Sequence, residues 1–598
     1  MSKVRIKLLP RLFLAAIVFG CLILGIRYLK DQGLLSRTSG PSVVPQQVDL
    51  PALVMNTQQD NLHKAALPGN ATAGVTSPEI RIDMMAWNAQ MGLMFANGGV
   101  HTTEGSLMAK KNVSVNLIRE DDCGKMQASL LAFAKELKSD PQPKSGIHFA
   151  SVMGDGSAAF IAGIQDDLKK ICDDCTAEVI GSAGYSRGED KLMGQAEWKT
   201  NPKAARGSLI AGVLRDGDWN IAQKWAGDNA ILNNPDEKTW DPEAINWLAA
   251  NDFIDAGQKY ITNVCEDRPI VHAGKRTGES KHICVNGVVT WTPGDVNVAK
   301  QKGGLVSVVS TKEYRSQMPN TLVGIKRWNQ ANKAELQNFL AAMFEGGDQV
   351  KAFPEALHKA AEISAAVYKE EKTEYWEKYY KGVTETDKTG VEVTLGGSTA
   401  NNLADNMVLY GLAPGSANLF AATYTVFGDI VVKQYPKLVS SYPAVGDILN
   451  TSYISAVAAA NKPTTKADVP TFQANAQIKD VVSKRSWSIE FDTGSATFSP
   501  ATEKTLKDLA NGLLVADDLA IEIHGHTDNT GNADANMTLS QKRAKAVEQW
   551  LNAQSSTSFP ADRFNVMAHG QGEPVANNST PEGRAKNRRV VIVLGTTG

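Results

Sequence analysis

From Glu79 onward the apolar positions switch repeatedly between two periods. Short hydrophobic runs of strand length, "RIDMMAW", "VSVNLI", "GIHFASVM", "AEVIGSAG", "LIAGVLR", "GVVTW" and "LVSVVS", are separated by longer stretches with helical spacing. The helical stretches include "GKMQASLLAFAKEL", "SAAFIAGIQDDLKKI", "PEAINWLAANDFIDAGQKYI" and "KAELQNFLAAMFEGGDQV". Strands apolar on both faces need helices packed on either side, so the alternation predicts an α/β layered body with mostly parallel sheets. That body runs over 79–440, long enough for two lobes. After "AAANKPTTKADVPTFQ", a Pro- and Ala-containing stretch, the pattern resumes over 483–598. There "SWSIEFD", "LAIEIHG", "FNVMAHG" and "RRVVIVL" predict strands, while "SPATEKTLKDLANGLL" and "MTLSQKRAKAVEQWL" predict helices. The result is a β-α-β-α-β-β unit of α+β type, with a short helical "TPEGRAKN" before its last strand.

The N-terminus departs from this pattern. Lys3, Arg5, Lys7 and Arg11 precede an uncharged run, "LFLAAIVFGCLILGI", at 12–26, which Arg27 closes. Leu8, Leu9, Tyr28 and Leu29 extend it, and the stems of Arg11 and Arg27 can snorkel to the interfaces, so residues 1–30 are expected to be a membrane anchor. A cleaved signal peptide is the competing reading, which the lack of a prompt A-x-A-like site disfavours. A lipoprotein signal ending before Cys21 is a third, against which stand bulky Phe19 and the apolar residues Leu22, Ile23 and Leu24. Basic residues before the span place the N-terminus in the cytoplasm and the body outside it. Residues 31–78 and 441–482, without sustained apolar period, read as linkers.

With 598 residues, 42% hydrophobic and 21% charged, the composition is globular, and the net charge of −2 supplies no basic field for nucleic acid. Six cysteines matter more if the body is exported to an oxidising compartment. Cys265 and Cys284 bracket a polar loop that one disulfide would close. Cys172 and Cys175 form "CDDC" at the end of a helical run, where a redox pair is disfavoured; they can bridge locally or pair one member with Cys123.

In the body, "SVMGDGSAAFIAGI" puts Gly154, Asp155, Gly156 and Ser157 between a strand and a helix, where free amides would suit an anion and where plain capping is the simpler use. Trp87 and Asn88 in "MMAWNAQMG", and Trp291 in "VVTWTPGD", end strands where an aromatic wall could line a cleft. "GYSRG" at 184–188 matches a nucleophile elbow at Ser186, but the charged, Gly-interrupted stretch after it does not promise the required helix. His101, His148, His272, His282 and His358 lack metal-ligand spacing, so neither a metal nor another cofactor is called for. The stretches "IRIDMMAWNAQMGLMFANGG" and "GVVTWTPGDVNVAKQKGGLVSVVSTKEY" make 79–350 resemble the periplasmic solute-binding proteins of ABC transporters, of the alkylsulfonate- and thiamine-precursor-binding type. The resemblance implies two lobes on a hinge closing on a small molecule, with 351–440 as an elaboration that could cover the cleft.

In the tail, "IHGHTDNTGNADANMTLSQKRAKAV" sets Asp528 on a loop between a strand and a helix. Asn536 and Arg543, seven residues apart, project from nearly one helical face. A carboxylate and a guanidinium so placed can take the ammonium and carboxylate of a zwitterion, or simply pair with each other. The motifs "GHTDNTG", "N-x-x-LS-x-x-RA-x-x-V" and "EGRAKNRRV" are similar to those of the OmpA-like domain, a peptidoglycan-binding module. That similarity implies recognition of diaminopimelate, with Asp528 on its ammonium, Arg543 on its carboxylate, and Asn536 and Arg588 or Arg589 in support.

The expectation is an inner-membrane protein with a single span, its body in the periplasm, bound to peptidoglycan and carrying a sensing or delivery domain for a small-molecule ligand, with a membrane transporter or signalling partner. Recognition needs no catalysis. An envelope enzyme with an unrecognised site in the middle domain is one alternative, and an outer-membrane lipoprotein linking membrane to wall is another. A flagellar-stator relative is disfavoured, since the span lacks the carboxylate a proton path requires.

Overall fold

The computed structural model describes residues 62–597, apart from 273, 462, 464, 492 and 493. The expected anchor at 1–30 and residues 31–61 of the expected linker therefore lie outside the described residues. Among those described, no helix is long and apolar enough to cross a membrane.

The chain opens with β1 (Glu79–Met84), β2 (Ser114–Arg119), β3 (Phe149–Met153) and β4 (Ala177–Ser186). It then crosses to β5 (Lys191–Gly194), β6 (Leu209–Gly212), β7 (Leu232–Asn233) and β8 (Ala244–Ala249). A hairpin, β9 (Cys265–His272) and β10 (Lys275–Cys284), precedes β11 (Gly287–Thr290) and β12 (Val306–Ser310), and the chain returns through β13 (Pro319–Ile325). The later strands of the body are β14 (Val383–Thr386), β15 (Glu392–Leu395) and β16 (Ser398–Ala400).

Two six-stranded sheets result, in the orders β16-β4-β13-β3-β1-β2 and β12-β5-β11-β6-β8-β7. In the first, β1 runs parallel to β2 and β3, while β13 is antiparallel to β3 and β4. In the second, β6 is parallel to β8 and β11, and β5 is antiparallel to β11 and β12. The two sheets define two lobes. They are joined at 187–190 and 311–318, and these crossings bond to each other: Gly188 N donates to Thr311 Oγ1 at 2.8 Å, and Thr311 N donates to Asp190 O at 3.0 Å.

One predicted helix divides. "PEAINWLAANDFIDAGQKYI" gives strand β8 and then the helix Phe253–Ile261, capped by Asp252, whose side chain accepts from Asp255 N. The run "AINWLA" is apolar on both faces because β8 lies between β6 and β7, and a short apolar run of that kind has no period of its own to choose a helix.

The expected linkers are more structured than their composition suggests. Residues 62–78 lie along the body: Ala65 N donates to Gln349 Oε1 and Gly69 N to Glu104 O, each at 2.8 Å. Within 441–482, the helices Val445–Ile448 and Ser452–Ala460 bury Ile448, Tyr453, Ile454 and Val457 against β4 and the helix Lys333–Ala352. Nor is 351–440 a peripheral addition. Its strand β16 completes the first sheet beside β4, and Lys388 N donates to Ala299 O in the second lobe at 2.9 Å.

Cys265 and Cys284 are disulfide-bonded partners at the open end of the β9–β10 hairpin. Cys172 bonds to Cys175, leaving Cys123 as a free thiol.

The tail is a four-stranded sheet, β17 (Asp480–Trp487), β18 (Ala520–His526), β19 (Phe564–Gly570) and β20 (Val590–Thr596), in the order β17-β20-β18-β19. Its first strand begins earlier than "SWSIEFD" predicts. The partner decides: β20 pairs with β17 from Asp480↔Thr596 to Trp487↔Val590, and beyond Trp487 there is no further strand to bond. The helices Glu503–Val515 and Ala533–Gln554 cover the sheet, and the tail packs on the body through the former and the helix Leu419–Gln434.

Candidate functional site

The tail site is built where β18 gives way to the helix Ala533–Gln554. Gly525 is required there, since a Cβ would fall 2.2 Å from Ser540 O and push helix from strand. Asn532 caps the helix, its Oδ1 accepting from Asp534 N at 2.8 Å and Ala535 N at 3.3 Å. The loop between holds Asp528. Its Oδ1 accepts from Thr530 N at 2.9 Å, and its Oδ2 accepts from Arg588 Nη1 at 2.7 Å.

Asn536 ties the loop down: its Nδ2 donates to Asp528 O at 3.3 Å, Thr530 O at 3.1 Å and Gln571 Oε1 at 2.9 Å. Two turns further on, the Arg543 Nε donates to Ser495 O at 3.0 Å, and its guanidinium lies over the Phe491 ring, 4.9 Å from the centroid. Among the described residues no carboxylate forms an ion pair with Arg543.

The charges are unevenly satisfied. Burial works upward on the Asp528 carboxyl, but Arg588 and Thr530 outweigh it and hold the group below its ordinary value. Burial lowers Arg543, and the neighbouring Arg588 cation lowers it further, against the pull of Asp528. Two guanidiniums therefore share one carboxylate, an arrangement that favours an added anionic group.

Of the two arginines before the last strand, the structure brings in Arg588. Arg589 is turned away, its Nη2 donating to Glu573 O at 3.2 Å, because successive residues entering a strand point to opposite faces. Sequence reasoning missed Gln571, which reaches Asn536 from the loop after β19, and Ser495, whose carbonyl carries no side-chain signal.

It also missed three stacked histidines. His526 and His569 lie 4.7 Å apart at 13°, and His569 and His524 lie 5.0 Å apart at 9°. Glu573 accepts from His569 Nδ1 at 3.0 Å and stands 3.9 Å from His526 Nδ1. His524 Nδ1 and His569 Nε2 are 2.9 Å apart, and ligand atoms of His526, His569 and Glu573 lie within 4.8 Å of one another, a grouping that could hold a metal ion.

The body's candidates meet across the lobes. Trp291 Nε1, from the second lobe, donates to Ala86 O at 3.1 Å, next to Trp87 and Asn88 of the first. Asn88 Nδ2 donates to Glu189 Oε1 at 3.2 Å in the crossing, and Trp87 O accepts from Tyr368 at 3.0 Å. The anion reading of Gly156 and Ser157 is corrected: Gly156 N already donates to Met153 O and Ser157 N to Gly154 O, and Asp155 is buried beside them. Ser186 ends β4 and is followed by the crossing, not by a helix, so the nucleophile-elbow geometry is not formed.

Residues 490–588 match the OmpA family, so the chain carries an OmpA-family domain at this end. The segment is 42% identical over 107 residues to the probable lipoprotein YiaD of Escherichia coli (strain K12), covering 18% of this chain and 48% of that one. It is 41% identical over 106 residues to the peptidoglycan-binding protein ArfA of Mycobacterium tuberculosis (strain ATCC 25618 / H37Rv), covering 18% of this chain and 32% of that one. The alignments thus span less than two thirds of either relative. Among solved structures, the periplasmic nitrate-binding protein NrtA from Synechocystis PCC 6803 aligns with 67% of this chain and 94% of its own, with a TM-score of 0.43 and 10% identity.

Proposed function

We propose that this chain is a bacterial envelope protein that grips peptidoglycan non-covalently through its C-terminal domain and holds a solute-binding body in the periplasm. The observation that carries the reading is the cluster of Asp528, Arg588 and Arg543 within a segment that matches the OmpA family. A diaminopimelate side chain presents an ammonium and a carboxylate on one carbon. Asp528 accepts from the ammonium, and Arg543, without an acid partner among the described residues, clamps the carboxylate. Asn536 and Gln571 hold the loop in place, and recognition of this kind makes and breaks no covalent bond.

The apolar run at 12–26 supports a single inner-membrane span, with the N-terminus in the cytoplasm. The body would then stand between membrane and wall, sensing a solute or delivering it to a membrane partner. Two sheets joined by two mutually bonded crossings support a small-molecule site between the lobes.

The test is co-sedimentation of the full chain with purified wall sacculi. Retention by the wild type and release of Asp528→Ala and Arg543→Ala are expected. Retention of both variants would remove the assigned site.

A further inference from the structure

The body has a second charged cluster, and it rests on the solute-binding reading just given. Asp155 lies in the turn between β3 and the helix Ser157–Ile171 of the first lobe, and Asp190 lies in the first crossing. Asp216 and Asp218 open the helix Gly217–Asp228, which packs on β5, β11 and β12 of the second lobe. The lobes touch here: a Cβ on Gly217 would sit 2.4 Å from Met153 Sδ and 3.2 Å from Asp155 Oδ1. Asp218 lies close enough to Asp190 and Asp216, and Asp155 to Asp216 and Asp190, for each carboxyl to disfavour the charge on the next.

Among the described residues, no Lys, Arg or His forms an ion pair with Asp155, Asp190, Asp216 or Asp218. The neighbouring cations are engaged elsewhere: Lys191 with Asp295, and Lys224 with Asp228 at 2.8 Å. Polar atoms in the cluster are also left over. Gln317 Nε2 donates to Asp155 Oδ2 at 2.7 Å, yet among the described residues Gln317 Oε1, Asp155 Oδ1, both Asp190 carboxyl oxygens and Asp218 Oδ1 are buried without a hydrogen-bond partner. Gln317 is 0% exposed.

Buried carboxyls without a counter-charge are costly, and buried amide oxygens normally find a donor. A donor-rich cation meets both demands, whereas an anion would face four carboxyls. The tight three-ligand groupings among the described residues lie elsewhere, at Cys265–His282–Cys284, Cys172–Asp174–Cys175 and His526–His569–Glu573.

We propose that the cleft between the lobes takes a small organic cation, an amine or guanidinium, held by Asp155, Asp190 and Asp218 with the side chain of Gln317. Ligand entry requires the lobes to swing apart about the segments that join them, which include 396–397 between β15 and β16 as well as the two crossings. Burial, outweighing the Gln317 hydrogen bond, pushes the Asp155 carboxyl up to about 8, and a bound cation would reverse that by stabilising the carboxylate.

The test uses the full chain at constant ionic strength, by thermal shift and calorimetry. Putrescine and agmatine are the cation probes, sodium sulfate and nitrate the anion probes, and calcium chloride the metal probe. Saturable stabilisation by putrescine or agmatine is expected, weakened roughly thirtyfold by Asp155→Asn or by Asp218→Asn, with sacculus retention unchanged. Gln317→Leu, which leaves the carboxyls in place, gives a second reading of the same loss if an Asp variant does not fold. Stabilisation by the anions alone, by calcium alone, or by amines with undiminished affinity in every variant overturns the cation assignment while leaving a solute-binding body. No shift from any probe overturns that assignment and the solute-binding reading together.

Discussion

Asp528 and Arg588 form an ion pair of 2.7 Å across sixty residues of sequence, and Arg543 stands beside them, held among the described residues by the Ser495 carbonyl and the Phe491 ring. The obvious sequence partner of Asp528 is Arg543, on the next helix. The structure instead gives Asp528 to Arg588 and leaves Arg543 available. A ligand ammonium must therefore share or displace the Arg588 contact, while a ligand carboxylate meets a guanidinium already desolvated.

That division of labour predicts a graded set of variants. Asp528→Ala and Arg543→Ala each weaken binding of the full chain to sacculi by about tenfold or more, because each leaves a buried charge unmatched. Arg589→Ala, whose side chain points to Glu573, changes it by less than about twofold. Co-sedimentation isotherms measure all three.

The same ion pair sets the pH limit of binding. Asp528 titrates below its ordinary value, so its charge is retained as pH falls through about 4 and lost only below it. Retention on sacculi is expected to persist to lower pH in the wild type than in Arg588→Ala, whose Asp528 lacks the cation that lowers it. An identical acid limit for both proteins counts against the assignment.

The Asp155 cluster has the opposite sign. A carboxyl pushed up to about 8 keeps its proton in the folded state, so its contribution to stability is intact below the ordinary value and lost as pH rises toward 8. Without added ligand, the full chain loses stability over that window by up to about 1.4 kcal/mol per pH unit. Urea midpoints at about pH 5 and about pH 8 should differ less in Asp155→Asn than in the wild type.

The two disulfides are predicted to appear together. Non-reducing mass spectrometry of the protein purified under oxidising conditions should yield Cys265–Cys284 and Cys172–Cys175 crosslinks, with Cys123 alkylated as the one free thiol among the described residues. Opening the Cys265–Cys284 bridge frees the polar hairpin and costs about 3 kcal/mol on a loop-entropy estimate.

The return crossing also touches the tail. Ser316 N donates to Val515 O at 3.0 Å, Arg315 Nη2 pairs with Asp468 at 2.7 Å, and its Nη1 stands 3.8 Å from Asp517. Arg315→Ala removes the charged part of that contact. Faster proteolysis between the body and β17, with sacculus binding preserved, is the expected result. Cleavage at the wild-type rate would mean that the apolar packing of the helices Leu419–Gln434 and Glu503–Val515 holds the tail unaided.

The α/β alternation, the tail's element order and the neighbourhood of Asp528, Asn536 and Arg543 were legible because each is written in a local period or a motif. The β8 strand, the helices within 441–460 and the first strand of the tail were not. Each depends on a partner strand or a packing surface distant in sequence. Gly154–Ser157 shows the same limit in chemistry. The turn reads as a ready anion seat, but its first amides are spent within the turn and Asp155, Asp190, Asp216 and Asp218 gather around it from three separate segments.

By itself the sequence determined which side chains could carry charge, where strands and helices alternate, and that Asp528, Asn536 and Arg543 lie within reach of one another. Only the tertiary structure decided that Arg588 rather than Arg589 meets Asp528, and that four acids from two lobes gather with no ion-paired base among the described residues. Local spacing fixes which face of a helix a residue occupies, whereas a charge is satisfied or left wanting by whatever the fold brings against that face.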